Sequence, residues 1–192
     1  MRQTQDKAKV GAVGDHPPLQ ILSLYHRDMN IYGDSGNILS VTRRAELYGF
    51  RPMVRYYDPG DAWPERMIGN LVEQAEDFGR VVGYENHSGL TYLGEGAHPL
   101  GMVTEDGRGN NGKDHTEGAR WKKVIGTYMH GSLLPKNPAI TDFLIKGAAE
   151  RRYGQGTFAQ MQETMDQKSR SELERLDSLA DQASRIASSR PR

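Results

Sequence analysis

A histidine stands at position 130 in the run GTYMHGSLLPKNP, residues 126–138, where an apolar segment gives way to a turn and then to a helix start. An imidazole at the end of a strand can serve as general acid or base toward a nearby nucleophile, or it can be a hydrogen-bonded structural group. A histidine so placed usually serves a nearby nucleophile, yet the chain has no cysteine. Disulfides, thiolate metal sites and thiol catalysis by this chain alone are therefore excluded.

Two other stretches carry residues that could do chemistry. In the turn GDSG, residues 33–36, Ser35 lies between glycines, as a nucleophilic serine can. A serine nucleophile needs a base and an orienting acid, and nothing in the pattern supplies them. Turn and capping chemistry accounts equally for the same residues, as does a backbone N–H cradle for an anion. In GYENHSG, residues 83–89, Glu85, Asn86 and His87 cluster where a strand meets a turn. Neither His98 nor His115 stands at helical spacing from His87, so this reads as a hydrogen-bonded structural cluster and no metal site is expected.

The elements that position these residues follow from hydrophobic periodicity. Residues 20–25 read as a buried strand, and Ile38, Val41, Ala45 and Tyr48 share one helical face that Gly49 terminates. Residues 53–57 make a second strand. Strand, helix and strand in this order form a βαβ unit with parallel strands. Residues 67–72 and 80–86 read as an antiparallel hairpin around a turn at 77–79, and 94–120 as a glycine-rich loop region. Another strand is expected over 123–129. Asn137 is placed as N-cap with Pro138 at the first position of a helix over 138–153, which Gly154 ends.

The chain divides into a disordered leader over 1–18, a compact domain over 19–154 and a helical extension over 155–192. Phe158, Met161 and Met165, then Leu173, Leu176, Ala180, Ala183 and Ile186, mark an amphipathic tail whose phase slips near Ser169. Its stripe can dock on the body or on a partner. Lysine plus arginine (25) equals aspartate plus glutamate (25), so no global field favours nucleic acid. The start lacks the apolar core of a signal peptide, and no run approaches the length of a membrane span. A soluble, cytoplasmic protein is expected, with no membrane insertion.

Longer stretches carry a family resemblance. MNIYGDSGNILSVTRRAELYGF, RMIGN, VVGYENHSGLTYLGEGAHPLG, GNNGKDHTEGA and VIGTYMHGSLLPKNPAITDFLIKGAAERRYG, in this order over roughly residues 20–154, closely resemble the GatD family. GatD is the glutamine amidotransferase subunit, of the class I CobB/CobQ type, that pairs with the ligase MurT in lipid II isoglutaminyl synthase of Gram-positive bacteria. The resemblance implies an α/β, flavodoxin-like three-layer fold. It also implies a thioester mechanism, in which a cysteine thiolate attacks the glutamine side-chain amide and histidine protonates the leaving ammonia. MurT would use that ammonia, with ATP and Mg, to amidate the D-glutamate of the lipid II stem peptide, and this subunit would need no cofactor. By motif, His130 corresponds to the catalytic histidine and Arg66 to the arginine that holds glutamine.

The departure from the family pattern is equally specific. Residues 57–61 pass almost directly into residues 65–70, where the family has further elements, among them the turn that bears the nucleophile. Four or five elements, roughly 70 residues at ordinary element lengths, are skipped. The expected product is a GatD-type domain shortened by loss of central elements, inactive alone. The alternatives are a non-catalytic MurT-binding subunit and a deletion at the locus. Losing central strands exposes sheet edges, so a marginal monomer is expected.

Overall fold

The computed structural model describes residues 16–24, 35–57, 67–87, 89–130 and 132–189. It is a mixed α/β arrangement. Strand β1 (Pro18–Leu24) leads through helix α1 (Ser35–Leu47) to β2 (Arg51–Tyr57), and the two strands pair in parallel with Leu19 beside Pro52 and Ile21 beside Val54. The βαβ unit expected from periodicity is thus present. Val41 and Tyr48 are buried and Ala45 fully so, as the helical face requires. Helix α1 stops at Gly49, whose φ of 81° is open to glycine at little cost. The Phe50 amide donates to the Ala45 carbonyl and the Gly49 amide to the Glu46 carbonyl, both at 2.9 Å, which is a Schellman ending.

The βαβ unit includes residues before the expected boundary at Leu19. His16 donates from Nδ1 to the Gly49 carbonyl, the Pro17 carbonyl accepts from Arg51, and Pro18 opens β1, so these three residues belong to the βαβ unit. Residues 1–15 of the expected leader lie outside the described residues. So does Tyr25, the expected last residue of the first strand.

The second half of the domain is antiparallel. Strands β3 (Met67–Ala75) and β4 (Gly79–His87) form the expected hairpin, with each strand a few residues longer than its pattern indicated. Strand β5 (Gly101–Glu105) joins the far side of β3 through a bulge at Val72/Glu73, and β6 (Thr116–Glu117) joins β5. Strands β7 (Ala119–Trp121) and β8 (Val124–Gly126) make a separate small ribbon. Strand β9 (Met129–His130) pairs with β4 and completes a five-stranded sheet in the order β6-β5-β3-β4-β9.

Two expectations are corrected here. The region 94–120 holds three short strands as well as loops, and the single strand expected over 123–129 is two strands in different sheets. The break falls at Thr127 and Tyr128, because the Thr127 hydroxyl and the Tyr128 amide both donate to Glu117 Oε1, at 2.8 Å each. Those donations turn the chain out of the β7–β8 ribbon and redirect it along β4.

Helices close the fold: α2 (Leu133–Lys136), α3 (Pro138–Tyr153), α4 (Thr157–Glu163) and α5 (Gln167–Ser189). Helix α3 is a shared wall between two cores. Its Ile140 packs with Leu71, Ala75, Val81, Leu100 and Met129, whereas its Ile145 and Ala149 pack with Leu19, Val41, Ala45 and Phe50. At 3.6 residues per turn, Ile145 points about 140° away from Ile140, so one helix serves both. The tail docks on its own domain through α5, with Leu173 and Ala180 buried and contacts to α1 and α2. Its phase slip is a true break between α4 and α5. Asp166 caps the second helix, accepting the Ser169 amide at 2.8 Å.

Candidate active site

His130 is the last residue of β9 and is buried, with 9% of its surface exposed. Its register partner is Tyr84 on β4. The chain then leaves the sheet abruptly: Gly131 lies outside the described residues, Ser132 has a left-handed backbone (φ 57°), and α2 begins at Leu133. A side-chain bond and a close backbone approach hold this exit. Asn37 Oδ1, on the first turn of α1, accepts the Leu134 amide at 2.8 Å, and Gly36 lies so close that a Cβ there would stand 2.4 Å from Ser132 Oγ.

Gly36 and Asn37, at the end of the glycine turn, therefore meet Ser132 and Leu134, which follow His130, almost a hundred residues away. Ser35 opens α1 beside Gly36. Residues 33 and 34 lie outside the described residues, as does Arg66.

Asn137 is not the side-chain cap that the sequence indicated. It precedes α3, and Pro138 does stand at the first helical position, but its side chain makes no cap hydrogen bond. Asn137 Oδ1 accepts the Val82 amide at 3.0 Å. Its Nδ2 donates to the Val82 carbonyl at 2.9 Å and to the Leu133 carbonyl at 2.7 Å. The amide was drawn away from the helix end by unsatisfied backbone groups on β4.

Glu85 and His87 of the GYENHSG stretch lie across the sheet from His130. Side chains alternate along a strand, and the register puts Tyr84 with His130 on one face and Gly83, Glu85, His87 and Met129 on the other. A Cβ on Gly83 would strike the Met129 side chain, in keeping with that shared face. Glu85 there accepts the Arg108 amide (2.8 and 3.0 Å) and the Gly109 amide (3.0 Å). Burial pushes its pKa up, but His87 and these backbone donors outweigh burial and hold the carboxyl below its ordinary value. The His87 ring stacks on Tyr128 at 3.8 Å and donates from Nδ1 to the Gly89 carbonyl at 3.0 Å. The structural reading of this stretch thus fits its geometry. Among the described residues no group of three potential ligands could hold a metal ion.

One feature escaped the sequence entirely. Glu73 on β3 and Glu117 on β6 have no exposed surface, and the charge of each bears on the other. Burial first, and then Glu117, push the Glu73 pKa up to about 9. Burial also raises Glu117. The available signal was the alternation itself, since Glu73 sits between Leu71 and Ala75 on the inward face. Ending the strand at Val72 hid it.

Residues 61–138 match the CobB/CobQ-like glutamine amidotransferase domain family. That segment, which contains the β3–β4 hairpin and His130, is similar to the glutamine amidotransferases of this type. Over 87 residues the chain is 48% identical to the lipid II isoglutaminyl synthase (glutamine-hydrolyzing) subunit GatD of Staphylococcus aureus, covering 45% of this chain and 35% of that relative. Over 91 residues it is 40% identical to the subunit of the same name from Streptococcus pneumoniae, covering 47% of this chain and 35% of the relative. These matches support assignment of the chain to the GatD family. The matched stretch spans about a third of the length of each of these curated relatives, 35% in both. No described helix is long and apolar enough to cross a membrane.

Proposed function

We propose that this chain is a shortened glutamine amidotransferase subunit of a lipid II isoglutaminyl synthase, carrying the histidine half of a glutaminase site without its nucleophile. The observation that carries the reading is the 48% identity to a GatD subunit over a segment of a chain that contains no cysteine. In the full mechanism a thiolate attacks the glutamine amide, His130 protonates departing ammonia, and water then cleaves the glutamyl thioester. The ammonia passes to a MurT-type ligase, which uses ATP and Mg to amidate the D-glutamate of the lipid II stem peptide. This subunit needs no cofactor of its own and acts in the cytoplasm.

By motif, Arg66 would hold the glutamine carboxylate while His130 protonates the leaving ammonia. Met67 opens β3 opposite His87, and His130 ends β9 opposite Tyr84, on the two flanks of β4. Three residues along and two strands across, their backbones are roughly 14 Å apart.

Without a thiol, covalent catalysis has no attacking atom, and the remaining groups accelerate hydrolysis little. In the complete three-layer, flavodoxin-like fold, further central strands would lie between β2 and β3. The absent thiol favours a second reading, a non-catalytic subunit that retains the surface for MurT. Ammonia release from glutamine by the purified chain should equal background, and His130-dependent release overturns the inactive assignment. Pull-down with the cognate MurT should recover a complex; no complex removes the binding role. Resequencing codons 58–66 separates a working gene from a deletion at the locus.

A further inference from the structure

The β4–β9 ladder ends at the Tyr84–His130 pair, yet the next rung of the same kind is not empty. Continuing the register by two residues would set residue 132 opposite Val82. Ser132 is left-handed there and already leaving the sheet, so its backbone cannot form the rung. The Asn137 side chain forms it instead, accepting the Val82 amide at 3.0 Å and donating to the Val82 carbonyl at 2.9 Å. A primary amide has one acceptor and two donors in a plane, the same groups that a strand residue offers its neighbour. The second donor holds the Leu133 carbonyl at 2.7 Å, which pins the start of α2 to the same point. Asn137 is 6% exposed and Val82 fully buried, so water does not replace these bonds.

We propose that Asn137 is a positioning residue for His130, a side-chain rung that ends β9 at the histidine and sets where its imidazole stands. This rests on the reading of His130 as the acid/base group of the site. Backbone ladders fix a residue through the rungs on both sides of it. His130 has the Met129 side of its own strand behind it, and ahead of it the Asn137 amide. Losing that amide removes the rung next to His130 and leaves the Asn37 bond to the Leu134 amide, four residues further on.

Two variants test it by NMR on the full chain. Asn137→Asp keeps the acceptor for the Val82 amide and loses both donors, and Asn137→Ala loses all three bonds. In either folded variant, amide exchange at His130 and Tyr84 should quicken by about tenfold or more, while exchange at Leu71 and Val72 in β3 stays as in the wild type. The His130 ring chemical shifts should move, and those of exposed His98 should not. Unchanged His130 ring shifts and amide exchange in a folded variant overturn the proposal. Should neither variant fold, the wild type decides through the scalar coupling between Asn137 Nδ2 and the Val82 carbonyl: its presence supports the rung, and its absence overturns it. None of these readouts uses glutamine or a partner, so failure of the amidotransferase reading is scored separately by the ammonia and pull-down assays.

Discussion

The carboxyl groups of Glu73 on β3 and Glu117 on β6 meet inside the fold, with no exposed surface on either residue. Glu117 takes the Thr127 hydroxyl and the Tyr128 amide on Oε1, so it is the better-solvated partner. Neither Glu73 oxygen has a hydrogen-bond partner among the described residues, and a Cβ on Gly101 would stand 2.6 Å from its Cδ, so it has no room to turn away. Two buried carboxylates this close cannot both be ionised, and a shared proton is what makes the contact attractive. His87 is the titratable group whose charge reaches Glu117.

Stability should therefore fall with rising pH. The folded pKa of Glu73, about 9, lies above its ordinary 4.5, so the folded state holds a proton that the unfolded state releases. The contribution is complete below about 4.5 and is lost as pH climbs through about 9. Glu73→Gln supplies a neutral group of the same shape and should flatten the slope across that window. Urea unfolding at pH steps from 6 to 10 measures it, with the denaturant midpoint as readout. Equal slopes in wild type and variant sink the shared-proton account.

Glu85 works in the opposite sense. Its carboxylate gathers the amides of Arg108 and Gly109, and Gly109 is at φ 61° with its Cα face 2.2 Å from the Thr116 carbonyl if a Cβ were added. A pKa below 4.5 means that its stabilisation is present above that value and is lost as pH falls through the folded pKa. Glu85→Ala should cost about 2 to 3 kcal/mol near neutral pH, the worth of hydrogen bonds to a charged group. It should also remove part of the acid-limb slope. Amide exchange localised to residues 106–112 checks the mechanism, and a uniform rise across the chain counts against it.

How much of this was legible in the chain depends on how local each feature is. The βαβ unit could be read because Val41, Ala45, Tyr48 and Gly49 carry their own periodicity and stop signal. The β3–β4 hairpin could be read for the same reason. Asn137 was misread because the groups competing for its amide lie on Val82, 55 residues away, whereas a cap is judged from its immediate neighbours. The split of 123–129 was hidden likewise, since the residue that breaks it, Glu117, belongs to another strand. In the site, His130 stood out as a histidine at a strand end. That it lies on the opposite face from Glu85 and His87 needed the register, which no single strand reveals.

Arg44 ties the tail to the body. It is 5% exposed, donates from Nε and one terminal nitrogen to Asp142 at 2.6 and 2.7 Å, and from the other to Asp177 on α5 at 2.6 Å. Burial opposes its charge, but the bonds and charges of Asp142 and Asp177 prevail and raise its pKa. Tyr48 completes the cluster with a 2.9 Å bond to Asp142. Arg44→Met should cost about 2 to 4 kcal/mol, below the full value for a buried pair because the Asp177 side chain is 49% exposed. Asp177→Asn, at the exposed end, should cost about 1 kcal/mol or less. Thermal unfolding of both variants gives the order, and the reverse ranking refutes it.

The parallel β1–β2 pair leaves an apolar face in solvent, with Leu22 63% and Met53 38% exposed. Parallel sheets are ordinarily covered on both faces, and among the described residues neither strand pairs with a third. Such a face, bounded by unpaired edges, is a template for association between copies. Register places Leu22 beside Arg55 on the exposed side, so Leu22→Lys adds charge where no packing is lost. Stability should change by no more than about 0.5 kcal/mol, the usual range for surface positions. Light scattering at raised concentration should fall clearly in the variant, with the melting temperature unchanged. Scattering equal to that of the wild type would show that association, if present, runs through another surface.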